Sequence, residues 1–109
     1  MIIVIDKKAT NDQIMQMLMQ FGTYIKVVID IDQEILAGGE DRHFDAEQLL
    51  LGRGSRQSSL WGGGVDWESK VIDFNSIINL RPSSGNPSRD ILDINIRNKF
   101  ESILKSFLL

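Results

Sequence analysis

The eight residues from Tyr24 to Ile31, YIKVVIDI, set the tightest limit on what this chain folds into. Five of them are isoleucine or valine, whose branched side chains favour extended backbone, and a strand so apolar has to pair and be covered. The strand pattern resumes with Glu34 to Ala37 after Asp32 and Gln33, which predicts a hairpin ended by Gly38 and Gly39. Ile2 to Ile5, short, β-branched and bounded by charge, predicts an interior strand.

Three helical patterns and one further alternating stretch make up most of the rest. Thr10 and Gln13 have the spacing of a capping box, followed by Ile14, Met17, Leu18 and Phe21 on one stripe and Gly22 as a stop. Met15 and Met19 lie off that stripe and are expected to fill core gaps, or else to form an adaptable face for a partner. Asp45 and Gln48 suggest a capped short helix over Ala46 to Leu51, closed by Gly52, although the Leu49-Leu50-Leu51 run equally suits a buried strand. Glycines 62, 63 and 64 break the next segment, which Trp61, Val65 and Trp67 anchor. Lys70 to Leu80 alternates, with Ile72, Phe74, Ile78 and Leu80 on one face and Asp73, Asn75 and Asn79 on the other, as in one long strand or two joined at Asn75-Ser76. A last helix starts near Asp90 or Asp93 and buries Ile96, Phe100, Ile103, Leu104 and Phe107. This order predicts one α+β globular domain over residues 1–109: a small mixed or mainly antiparallel sheet with two main helices packed on it and one short helix.

The whole-chain totals narrow function mainly by exclusion. A length of 109 residues, 42% hydrophobic and 25% charged, suits a single core. A net charge of -3 gives no footprint for nucleic acid. Without cysteine there is no disulfide, thiolate metal site or cysteine nucleophile. The apolar run before Asp6 is too short for a signal peptide, and no later run approaches a membrane span, so a soluble cytoplasmic protein is the expectation.

Three constellations are rich enough to carry chemistry. Glu40 to Glu47, EDRHFDAE, places the only histidine among four carboxylates; His43, Asp45 and Glu47 are the candidate catalytic or metal-holding residues, with Asp30, Asp32 or Asp73 as further ligands. The plainer alternative is an Asp45 cap, a solvated acidic turn and an exposed histidine. Gly52 to Gly64, GRGSRQSSLWGGG, could hold a phosphate or carboxylate through Ser55, Arg56 and Gln57, although no phosphate-loop or nucleophile-elbow motif is present. Asn79 to Asp90, NLRPSSGNPSRD, offers Arg81, Asn86 and Arg89 ahead of the final helix. Either donor-rich stretch could instead be a rigid turn that satisfies its own backbone.

Five segments together resemble a family of short bacterial and archaeal single-domain proteins of unknown function: IIVIDK, the hairpin VVIDI with ILAGG, His43 to Glu47, GSRQSSLWG, and INLRPSSGNPSR. The resemblance spans nearly the whole length and implies a complete single-domain protein, with no activity, substrate or cofactor attached. The residues themselves point first to a binding module whose two donor-rich loops converge on a small anionic ligand. The alternatives are a metal-dependent phosphoesterase or nuclease built on His43 and its carboxylates, and an interaction or homo-oligomeric module that uses Met15, Met19 or the sheet edge.

Overall fold

The computed structural model describes residues 1–109. Its five strands form one antiparallel sheet: β1 (Ile3–Ile5), β2 (Tyr24–Asp30), β3 (Ile35–Gly38), β4 (Leu60–Asp66) and β5 (Ile72–Asp73), in the spatial order β1-β3-β2-β4-β5. Three helices, α1 (Asn11–Leu18), α2 (His43–Gly52) and α3 (Ile94–Leu108), complete an α+β fold. The expected hairpin is β2 and β3, paired from Val27 with Gly38 to Asp30 with Ile35. The turn holds because Asp30 Oδ1 accepts from the N–H groups of Asp32 and Gln33, at 3.0 and 2.9 Å. β1 lies at the sheet edge rather than inside it, since it pairs with β3 alone.

Strand alternation sends side chains to two cores. Ile25, Val27, Ile29, Leu36, Trp61 and Val65 face α1 and α3, meeting Ile14, Met17, Phe100, Ile103, Leu104 and Phe107. Val28, Ala37 and Leu60 face α2 and meet Ala46, Leu50 and Ile78. The sheet is therefore the middle layer of three. Local signals fix the ends of the flanking helices: Thr10 and Gln13 form the reciprocal capping box of α1, and Asp93 Oδ1 accepts from Asn95 and Ile96 at 2.8 and 3.1 Å to start α3.

Several expectations are corrected. Met15 and Met19 are 65% and 81% exposed, because only Ile14 and Met17 of α1 turn fully inward. The helix expected over Ala46 to Leu51 runs ten residues from His43 to Gly52, longer than the eight of α1; its N-cap position is Arg42, and Asp45 lies inside its first turn. Lys70 to Leu80 holds only the two-residue β5 and then a 3-10 turn at Ile77–Asn79. That turn sends Phe74 and Ile78 into opposite cores, leaves Leu80 exposed and buries Asn79.

The three glycines do not break a segment; they lie inside β4. Glycine ordinarily weakens a strand, but here each lacks a side chain because something else fills its place. A Cβ on Gly63 would lie 2.8 Å from the Phe100 ring and would also strike the Asp73 carbonyl. One on Gly62 would lie 2.7 Å from Ser76 Oγ, and one on Gly64 would enter the Tyr24 phenol. Gly63→Ala is therefore expected to cost about 1–3 kcal/mol or more in urea denaturation. Gly52→Ala, with open space around it, should stay within about 0.5 kcal/mol of the parent.

Candidate functional site

The largest cavity, about 690 Å³, opens on the α2 side of the sheet. Alternation along β2 points Tyr24 and Lys26 toward it; the start of α2 brings Arg42, His43 and Phe44; Asp73, Asn75, Ser76, Ile77 and Arg89 close the other side. Arg89 is carried there by a short bridge in which Ser76 N–H donates to the Arg89 carbonyl at 3.1 Å and Ile91 N–H to the Phe74 carbonyl at 3.2 Å.

His43 is buried, not exposed, and its Nε2 lies 2.7 Å from the Gly63 carbonyl oxygen. A carbonyl can only accept, so Nε2 carries the proton and the neutral ring holds its lone pair at Nδ1. No protein group bonds to Nδ1. Burial pushes the imidazole below its ordinary pKa, with Lys26 acting in the same direction against the Gly63 carbonyl and Asp73. Beside it, the Tyr24 hydroxyl donates to Asp73 Oδ2 at 2.5 Å. Burial first, and Asp73 second, hold that phenol far above its usual range.

Three cations line the cavity. Lys26 Nζ donates to the Asp41 carbonyl at 2.8 Å; Arg42 makes an exposed pair with Asp45, also at 2.8 Å; Arg89 makes no ion pair. Asp73 is the one carboxylate among the lining residues. The N-terminus of α2 has no side-chain cap, so its first-turn N–H groups add partial positive charge at the same place.

The other candidate residues are distributed differently. His43 and Glu47 share one face of α2, but Asp45 turns outward to Arg42 and Glu47 sits toward Arg81, whose charge partly counters the rise that burial gives the carboxyl. No three acidic or histidine side chains gather closely enough to hold a metal ion. Ser55 Oγ donates to Asp30 Oδ2 at 2.7 Å, Ser59 Oγ to Asp32 Oδ2 and the Tyr24 hydroxyl to Asp73 Oδ2, so each carboxylate proposed as a further ligand already accepts a side-chain hydrogen bond.

Most donors of the second stretch are likewise spent on backbone. The Asn79 carboxamide is buried and takes the Gly62 N–H on Oδ1 while donating from Nδ2 to the Gly62 carbonyl, both at 2.9 Å, and on to Phe74 and Arg89. Asn86 Nδ2 reaches the carbonyls of Asn79, Ser88 and Asp90, and its Oδ1 accepts from Leu92 N–H. Arg81 donates to the carbonyls of Ile78 and Leu60 and stacks 4.2 Å from the Trp61 ring centroid. The two stretches meet at Gln57, Ser58, Arg81 and Ser84 around a separate cavity of about 260 Å³ beside Trp61 and Ile96. Arg56 is exposed and lines neither. Of the nine site candidates, only His43 and Arg89 reach the large cavity. Tyr24, Lys26 and Arg42 were missed because strand and turn patterns hid them; Lys26, the one basic residue of the mostly apolar strand YIKVVID, was the available signal.

Fold and cavity together define a small α+β protein with a basic pocket on one sheet face. A family model described as "Protein of unknown function (DUF5674)" matches residues 3–107, and the chain belongs to that family. No curated protein and no solved structure matches it. No helix is long and apolar enough to cross a membrane.

Asn79→Ala would leave the buried Gly62 N–H and carbonyl without partners, and a loss of about 2–4 kcal/mol is expected in chemical denaturation. A second test concerns Glu40, whose carboxyl oxygens are buried without a hydrogen-bond partner. Burial holds it well above the usual carboxylate range, against its own backbone N–H and Lys26 and with help from Asp45. A carboxyl raised in the folded state binds more protons folded than unfolded, so its contribution falls as pH rises above the ordinary carboxylate value. His43 acts oppositely, losing stability as pH falls below 6.5. Glu40→Gln should therefore raise the melting temperature more at pH 8 than at pH 5, read by thermal denaturation across that range.

Proposed function

We propose that this protein is a binding module for a small phosphate- or carboxylate-bearing ligand, held in the cavity beside His43. The observation that carries the proposal is that Lys26, Arg42 and Arg89, from three elements distant in sequence, line one cavity with a single carboxylate. Like charges collected in one place repel unless an anion joins them. Arg42 is free to leave its exposed pair with Asp45, because such surface pairs contribute little. Arg42 and Arg89 would then meet the anion in bidentate fashion and Lys26 as a point charge, with the open end of α2 adding N–H donors. His43 Nδ1 accepts from a ligand hydroxyl. Of the contacts first expected in the donor-rich loops, this assignment keeps Arg89, while Ser55, Arg81 and Asn86 serve the scaffold. A cytoplasmic setting, where such ligands are abundant, belongs to the same proposal.

The phosphoesterase alternative keeps one support: His43 lines the same cavity, and with Nε2 bonded to the Gly63 carbonyl its Nδ1 has no protein partner. That is the position of a general base.

The test is calorimetric titration with pyrophosphate and with citrate at low salt. Binding of at least one is expected, weakening as salt rises. Lys26→Ala and Arg89→Ala should each reduce its affinity about tenfold, equivalent to about 1.4 kcal/mol. Arg56→Ala, outside the cavity, should leave it unchanged. Absence of binding by both anions, or an equal loss in Arg56→Ala, overturns the proposal.

A further inference from the structure

We infer that the ligand is a phosphate joined to a flat heteroaromatic ring, the nucleotide class, with its ring lying against Phe44 and Ile77; this rests on the anion-binding proposal above. The cavity is larger than a lone phosphate needs, and its 690 Å³ falls within the roughly 300–1,000 Å³ typical of sites for organic ligands. Its apolar walls are unusual. Phe44 and Ile77 are 49% and 52% exposed, belong to neither core cluster, and both line the cavity that the cations line. The contact recorded on the Phe44 ring is the Arg42 guanidinium, 5.9 Å from its centroid, so the ring sits against one of the proposed anion-binding cations. A ring beside a basic pocket offers a stacking platform, and base stacking on an aromatic side chain tolerates any base because every base has a π face.

Asn75 supplies the polar complement. Asn75 is among the residues that line the cavity, and the one bond of its side chain is a long contact of 3.4 Å from Nδ2 to Asp90 Oδ1. Oδ1 and the second N–H remain as an adjacent acceptor and donor, the pair that matches the edge of an adenine-like base. Phosphate toward Lys26 and Arg89, ring toward Phe44 and Ile77, and base edge toward Asn75 uses each lining group for the chemistry it has.

Adenosine monophosphate, ribose phosphate and adenosine, each titrated into the full chain, separate the possibilities. Adenosine monophosphate should bind about tenfold or more tighter than ribose phosphate, and adenosine should bind most weakly. Phe44→Ala should erase most of the gap between the two phosphates by weakening adenosine monophosphate far more than ribose phosphate, and Phe44→Trp should restore it. Equal affinities for the two phosphates, both dependent on Lys26, would sink the ring assignment while the anion site stands. If neither phosphate binds, and pyrophosphate and citrate do not either, the anion site itself fails.

Discussion

The architecture depends on three successive residues without side chains. Gly62, Gly63 and Gly64 let β4 pass between layers at distances that no Cβ allows: Phe100 of α3 presses on one face, and Ser76, Ile78 and Tyr24 press on the other. This close approach has two results. It brings α3 onto the sheet through a fully buried aromatic ring, and it leaves the Gly63 carbonyl open to the His43 ring. The same bare stretch thus sets the packing of the large core and the tautomer of the only histidine. Local strand propensity is sacrificed there for tertiary fit.

How much of this was legible follows from how local each cause is. The β2–β3 hairpin and the caps at Thr10 and Asp93 were readable because the deciding contacts lie within a few residues. Lys70 to Leu80 was not, because alternation assigns faces only while the backbone stays extended, and the turn at Ile77–Asn79 reverses the assignment after Phe74. The burial of His43 was hidden for a related reason: it depends on the space above Gly63, thus on two segments 20 residues apart. Donor density was a sound clue to structure and a poor one to the site. Buried backbone groups need partners wherever regular structure ends, and Asn79, Arg81 and Asn86 meet that need.

The cavity is assembled from what remains after that demand is met. Arg89 is placed by backbone bonds of its own segment, not by its side chain, so its guanidinium is free. Lys26 stands on the central strand β2, held in register on both sides, and His43 is fixed by one bond to β4. Groups on rigid elements keep their geometry with little loss of side-chain freedom on binding, which suits recognition of a small charged molecule.

Asn79 has a further consequence. β5 pairs only with Gly64 and Val65, so Gly62 would otherwise present an open N–H and carbonyl along the outer side of β4. An unpaired stretch of strand is a template for another chain, and one bare of side chains offers no steric defence. The carboxamide, itself a peptide group in miniature, occupies both positions. A single side chain so takes the place of a missing strand and shields the sheet from pairing with its neighbours in solution, a safeguard against aggregation built into the fold.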